Sequence, residues 1–327
     1  MANYTEPLQA VLDWNYDRFQ FNAYNKRENV LIKAFTSNCR VGFDSAGQYF
    51  RAPIQTARQD NSTQLDSGYE PFSTEAETSQ DAVRYRRDAW GLNIIGNNVE
   101  IDVDVGTDNK QRIYDYWYTK TQEKVKEATR KLAKKLFHTD DTAVTTSTAK
   151  RIIGLNKVCD SSETTYGGLT ATTDNGLTPV TDSTSTVITW GGIVNLYADV
   201  YAATDAIFTT KDIWGFLWQL AQPQERYSET ESGKEFRSIG APMMKLNGEI
   251  PIVWDANCPA NHVYGLSYGD EDGKHIIWLE HNKWRLGVKT ICDNTPTQEI
   301  RVARILHAGC LLVPVRKYQW MMSAITS

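Results

Sequence analysis

No stretch of this chain approaches the ~20 consecutive apolar residues that a bilayer-spanning helix needs, which leaves no segment readable as a helical membrane anchor. The opening residues MANYTEPLQAVLDWNYDRF have neither a basic n-region nor an apolar h-region, so no secretory signal is expected. HExxH and Walker-type loops are both missing. The Gly-Gly pairs at 167–168 and 191–192 have no following Lys-Ser/Thr and read as turn or hinge glycines. The five cysteines, Cys39, Cys159, Cys258, Cys292 and Cys310, show no CxxC spacing. Reduced thiols in a cytosolic setting fit them better than a disulfide framework or a zinc site. Lysine is absent from residues 34–109. A net charge of −5 over 327 residues argues against a dedicated nucleic-acid binder, while leaving room for a locally basic face.

What is present points to assembly. Residues 41–106 form a long polar excursion. Its middle, 58–81, carries Asp60, Asp66, Glu70, Glu75, Glu77 and Asp81 against a single arginine. Strand-like runs flank it, QYFRAPIQTA (48–57) and AVRYRRDAWGLNI (82–94). A two-stranded arm with an acidic, Ser/Thr/Gly-rich tip buries too little apolar surface to stand alone. Structureless loops of this length are also uncommon inside compact domains. Another subunit is the natural support. Arg84, Arg86 and Arg87 at the root could receive the acidic tip of a neighbouring copy, because arginine binds carboxylates bidentately.

A short helix is expected near 7–14, with the rest of 1–35 an extended arm. The run 108–137 is the clearest helix. Ile113, Trp117, Thr121, Val125, Ala128, Leu132 and Leu136 trace one apolar stripe. Thr107 or Asp108 would cap it. Lys120, Lys124, Lys126, Arg130, Lys131, Lys134 and Lys135 make it the only dense basic run. Two readings stand: a solvated face relieved by Glu123 and Glu127, or a face toward nucleic-acid phosphates. Residues 138–190 read as loop-dominated, with IIGLNKV (152–158) a strand. Beyond 190 a helix, the strand AIFTT, a helix over 211–221 and strands at 248–255, 263–268 and 274–280 suggest an α/β layer. The tail 299–325 reads as two long strands broken near Gly309 and Pro314. Of the histidines, His281 follows Glu280 and His262 lies four residues after Cys258. A turn after a buried strand is the plainer reading of the second pair, with a nucleophile and base the alternative.

The segments PQERYSE (223–229), NGEIPIVWDANCPANHVYGLSY (247–268) and EIRVARILHAGCLLVPVRK (299–317) resemble the tailed-phage major capsid proteins of the Hong Kong 97-type fold. IIGLNKV and YGGL (166–169) are similar to the start of that family's second domain. The resemblance implies an α+β fold. Its parts would be an N-terminal arm (1–35), an extended loop (41–95) and a peripheral domain (36–40, 96–150 and 271–327) around the spine helix, with an axial domain over 151–270. It implies self-assembly, as hexamers and pentamers, into an icosahedral or prolate shell around double-stranded DNA. It implies no catalysis, no cofactor and no metal. A portal protein at one vertex, a separate scaffolding protein and a cement or decoration protein would be partners. Location would be the virion capsid, assembled in the host cytoplasm. The lysine-free loop implies a shell held without the covalent lysine cross-link of some members. An encapsulin-like compartment shell, or a hydrolase using Cys258 and His262, are the alternatives.

Overall fold

A computed structural model describes residues 29–43, 49–55, 80–86, 88–97, 116–138, 152–171, 177–184, 187–200, 204–225, 244–246, 250–270, 273–286, 288–295 and 298–325. The first element departs from the extended arm expected over 1–35: Val30–Asn38 is a helix, α1. Its start is fixed from far along the chain. The Asp255 carboxylate accepts from the Leu31 N–H at 3.0 Å, and Asn257 Nδ2 donates to Asn29 Oδ1 at 2.8 Å. An anion at a helix N-terminus also suits the helix dipole. Leu31 and Phe35, four residues apart, are the buried face. The helix expected near 7–14 lies outside the described residues.

Strand β1 (Arg40–Phe43) follows. Strands β2 (Tyr49–Gln55) and β3 (Gln80–Arg86) pair antiparallel from Tyr49↔Arg86 to Gln55↔Gln80. They form a two-stranded ribbon that joins no other sheet among the described residues. Pro53, opposite Ala82, is tolerated because both strands of such a ribbon are edges. The 82–94 run divides in two, since β4 (Asp88–Asn97) leaves the ribbon and pairs instead with a long C-terminal strand.

Helix α2 (Tyr116–Phe137) is the spine. Ala128, Leu132 and Leu136 of the expected stripe are buried. Its proposed caps, Thr107 and Asp108, lie outside the described residues. IIGLNKV is not a strand: Leu155–Val158 is a single helical turn, α3. Two short strands, β5 (Thr165–Tyr166) and β6 (Leu169–Thr170), are joined through Gly167 and Gly168. Both glycines have positive φ, 59° and 89°, which a two-residue hairpin turn demands and side chains resist.

Strand β7 (Val180–Asp182) leads to α4 (Trp190–Asp199), whose first turn is capped by Thr189 Oγ1 accepting from the Gly192 N–H at 3.1 Å. The remaining elements are β8 (Ala206–Thr209), α5 (Lys211–Glu225), β9 (Met244–Leu246), β10 (Ile250–Trp254), β11 (Val263–Leu266), the small pair β12 (Gly269–Asp270) and β13 (Gly273–Lys274), β14 (Ile277–His281), β15 (Val288–Thr295), β16 (Gln298–Leu312) and β17 (Trp320–Met322).

Two sheets organise the described chain. In the first, β16 is the central strand, pairing with β14, β15 and β4, and β1 adds to β14 in parallel. The second has the order β7-β17-β11-β8-β10-β9. The expected break at Gly309 does not occur. Gly309 lies within β16, paired with both Glu280 and Asp88, and a Cβ there would stand 2.7 Å from the Leu279 carbonyl oxygen. The residue allows close strand approach rather than ending the strand. The last strand also crosses the expected boundary at 271, since β17 pairs with β7 and β11 of the second sheet. Its register is held by Trp320, whose indole donates to Thr204 Oγ1 at 2.9 Å.

One core cluster runs from α1 and α2 through Trp278, Cys310 and Leu311 of the first sheet to Phe208, Tyr264 and Leu266 of the second. Another lies under α4 and α5, around Ile207, Ile252, Val263 and Trp320. The two sheets are therefore fused through shared apolar packing.

Candidate functional site at the hairpin root and the spine helix

Strands β1, β4, β14 and β16 and the spine helix converge on one buried polar node. Trp90 on β4 sits opposite His307 on β16. The His307 imidazole lies between Trp90 (centroids 5.7 Å) and Trp278 (5.6 Å) and has no exposure to solvent. Neither ring nitrogen has a hydrogen-bond partner among the described residues. The nearest anion is Glu280 Oε1, 3.7 Å from Nε2. That carboxylate is already matched: Arg40 Nη2 lies 2.7 Å from its other oxygen, and the Leu286 N–H donates to Oε1 at 3.3 Å. Burial, reinforced by the Lys135 charge, lowers the His307 pKa to about 4. The imidazole is thus neutral at neutral pH. Lys135 at the end of α2 bonds Asp88 Oδ2 at 3.0 Å and lies over the Trp90 ring at 5.1 Å. Spine, hairpin root and return strand are locked together at this point.

The same geometry sorts the basic residues of the spine. Glu127 is shared by Lys124 (3.0 Å) and Lys131 (3.2 Å), and these two partners hold its carboxyl below the usual range. Lys135 is committed to Asp88. Lys120 is half-buried, while Lys126, Arg130 and Lys134 are exposed. Glu127 thus accounts for Lys124 and Lys131, and Asp88 for Lys135.

Of the acidic tip, Asp60, Asp66, Glu70, Glu75 and Glu77 lie outside the described residues, as does Arg87. Asp81, Arg84 and Arg86 fall on β3, in register with Ile54, Arg51 and Tyr49. The two acid/base pairs read from the sequence do not form. Glu280 turns to Arg40, while His281 Nδ1 accepts from the Lys283 N–H at 3.1 Å and caps a short turn. Cys258 Sγ faces the His262 carbonyl oxygen at 3.8 Å rather than the ring. His262 Nδ1 lies 2.6 Å from the Ala260 oxygen, and burial pushes the Cys258 thiol up, away from the thiolate. A nucleophile and its base would have to face each other; these do not. Among the described residues no cluster of His, Cys, Asp and Glu could hold a metal ion, and no helix is long and apolar enough to cross a membrane.

Sequence reading missed Arg316. It has no exposure to solvent, and it donates to four main-chain carbonyls, of Val158 (2.7 Å), Glu163 (3.1 Å), Lys157 (3.0 Å) and Asp160 (2.6 Å). The Tyr166 ring covers it at 4.8 Å. This explains why IIGLNKV closes into a helical turn, because the carbonyls at the end of α3 have a guanidinium to accept from. No local signal at 152–158 marks a partner more than 150 residues away.

No protein-family model matches the sequence, and no curated protein does. Solved structures do match over nearly the whole chain. A subunit of the cyanophage A-1(L) capsid superposes with a TM-score of 0.66 at 11% identity, over 95% of this chain and 97% of that one. The capsid of the native GTA particle gives 0.58 at 11%, over 99% and 100%. The holo-SrpI encapsulin complex of Synechococcus elongatus gives 0.57 at 8%, over 99% and 96%. With its spine helix, two-stranded ribbon and two fused sheets, this α+β protein has the Hong Kong 97-type capsid fold.

Proposed function

We propose that the chain is a shell subunit, the major capsid protein of a tailed double-stranded DNA phage. It builds an icosahedral or prolate head from pentamers and hexamers of itself, and its role is structural rather than catalytic. The observation that carries this reading is the likeness to capsid subunits over 95–99% of the chain. A protein that kept the fold for another purpose would have little use for a two-stranded ribbon that joins no other sheet among the described residues, because such a ribbon is unstable by itself. In this reading the first sheet and α2 form the peripheral domain, the second sheet forms the axial domain with β17 as a contribution from the tail, and β2–β3 is the extended loop. Neighbours are held by packing and charge, with no covalent link through a loop lysine. A separate scaffolding protein, a portal protein, a cement protein and the packaged DNA are its partners, in the virion and, during assembly, in the host cytoplasm.

The encapsulin match favours a second reading, a protein compartment of the same architecture. One experiment addresses both. The chain is expressed alone and with its neighbouring candidate scaffold, and particles are imaged by electron microscopy and assayed for nucleic acid. Closed shells are expected, with DNA in those from the native source. Shells that hold protein cargo and no DNA would move the conclusion to a compartment. A monodisperse monomer under all conditions would refute both readings.

A further inference from the structure

We propose that Lys126, Arg130 and Lys134 of the spine helix form a docking track for the phosphate backbone of double-stranded DNA. The proposal rests on the shell reading and names which surface of the subunit meets the packaged polyanion.

Three observations support it. First, the three residues recur every four positions on one helix. At about 1.5 Å rise per residue their side chains emerge roughly 6 Å apart in a nearly straight row about 12 Å long. Secondly, all three are exposed, on the side of α2 away from Ala128, Leu132 and Leu136, which are buried. Thirdly, they are uncommitted. Lys124 and Lys131 share Glu127 and Lys135 holds Asp88, whereas none of the three has an ion-pair partner among the described residues. The helix carries seven Lys and Arg against two Glu, within a chain whose net charge is −5. Its cationic excess is therefore local.

The shape of the row suits DNA. Duplex DNA presents one charge per roughly 1.7 Å of its axis, so a straight row of cations finds phosphates at any register and needs no sequence. The row is flanked by exposed Gln122 and Glu123 and by half-buried Glu127. Protein interfaces deplete lysine and centre on apolar or aromatic groups, so the acidic hairpin tip of a second copy is the poorer fit. That tip is the competing occupant that the test must separate.

The test measures binding of a short mixed-sequence duplex to the unassembled full-length chain across about 50–200 mM salt. The row variant is Lys126→Gln/Arg130→Gln/Lys134→Gln. A control removes the same charge from exposed positions elsewhere, Lys33→Gln/Lys211→Gln/Lys283→Gln. Each lost phosphate contact lowers the magnitude of the log–log salt slope by about 0.9. The row variant should therefore lose about 2–3 from its slope, and the control less than about 1. Equal losses in both variants would show a net-charge effect and overturn the track, as would an unchanged slope in the row variant. A row variant that binds duplex normally but no longer forms shells would assign the row to the hairpin tip of a neighbour, and would also overturn it. Wild-type protein that forms no particles would sink the shell reading alone, because the slope is read on the unassembled chain.

Discussion

Arg316→Met is the sharpest perturbation of this structure. The substitution keeps the apolar stem and removes only the guanidinium. Four donated hydrogen bonds disappear, and all four acceptors are main-chain carbonyls in the segment 157–163. Bonds to a charged donor contribute about 1.5–3 kcal/mol each when deleted singly, and acceptors left dry cost a further ~1–3 kcal/mol. These contributions do not add, because the carbonyls belong to one short segment that can shift together toward water. Removing one side of a buried charged cluster destabilises by about 3–5 kcal/mol. A loss of about 4 kcal/mol is therefore expected, or about 6 °C in Tm for a chain this large. Arg316→Lys should cost about half as much. A single ammonium has three donors on one atom and cannot span four carbonyls arranged around a planar fork. Denaturant unfolding of the unassembled chain gives the global figure, and hydrogen exchange over residues 152–166 gives the local one. A loss under about 1 kcal/mol, or exchange that rises elsewhere but not at 152–166, would refute the clamp.

Three further expectations follow from named contacts. His307 has a folded pKa of about 4 against an ordinary 6.5, so the unfolded chain takes up the proton first. Stability is then full above about pH 6.5 and falls on acidification to pH 4 by about 3 kcal/mol. His307→Gln should flatten that slope in denaturant titrations from pH 7 to 4, and an unaltered slope would remove His307 as its source. At Gly265, paired with Trp320, a Cβ would lie 1.9 Å from Trp320 Cε2. Gly265→Ala should overpack the sheet by about 1–3 kcal/mol and shift the Trp fluorescence, whereas a neutral effect would mean that β17 is free to move. Finally, deleting 59–79 and closing the ribbon with a short turn should leave a folded monomer by circular dichroism yet no stable shells by electron microscopy. Normal particles from that deletion would discard the assembly role of the ribbon.

Local pattern made several elements readable. The 3–4 spacing of Val125, Ala128, Leu132 and Leu136 is a property of neighbours, and the spine follows it. The same holds for Trp190–Asp199 and for strands whose apolar residues run together, such as Ala206–Thr209. Failures occur where a distant residue supplies the deciding interaction. Val30–Asn38 needed Asp255, and Leu155–Val158 needed Arg316. Gly309 reads as a breaker until Leu279 and Asp88 are seen to approach it on both sides. The polar node was illegible for a related reason. His307, Glu280, Arg40 and Lys135 come from four elements, and no spacing in the sequence connects them. The row on the spine is intermediate. The seven cations are visible in the sequence, but which of them are already paired is visible only in three dimensions.

The fold is shared at 11% identity because its causes are coarse. Cores accept extensive exchange among apolar residues if volume and patterning are kept, and the two clusters here ask only for that. The ribbon is a different case. Its strands β2 and β3 satisfy each other along one edge only, leaving the outer N–H and C=O groups of both without strand partners among the described residues. An unpaired edge of this kind invites pairing with any other chain, and a subunit that worked alone would gain from losing it. A shell subunit gains from keeping it, since each ribbon can lie on a neighbour while its own body receives another. If neighbours are joined through the ribbon as proposed, the lysine-free, acid-rich sequence between β2 and β3 would leave charge and packing to join them, and so a weaker join as salt rises.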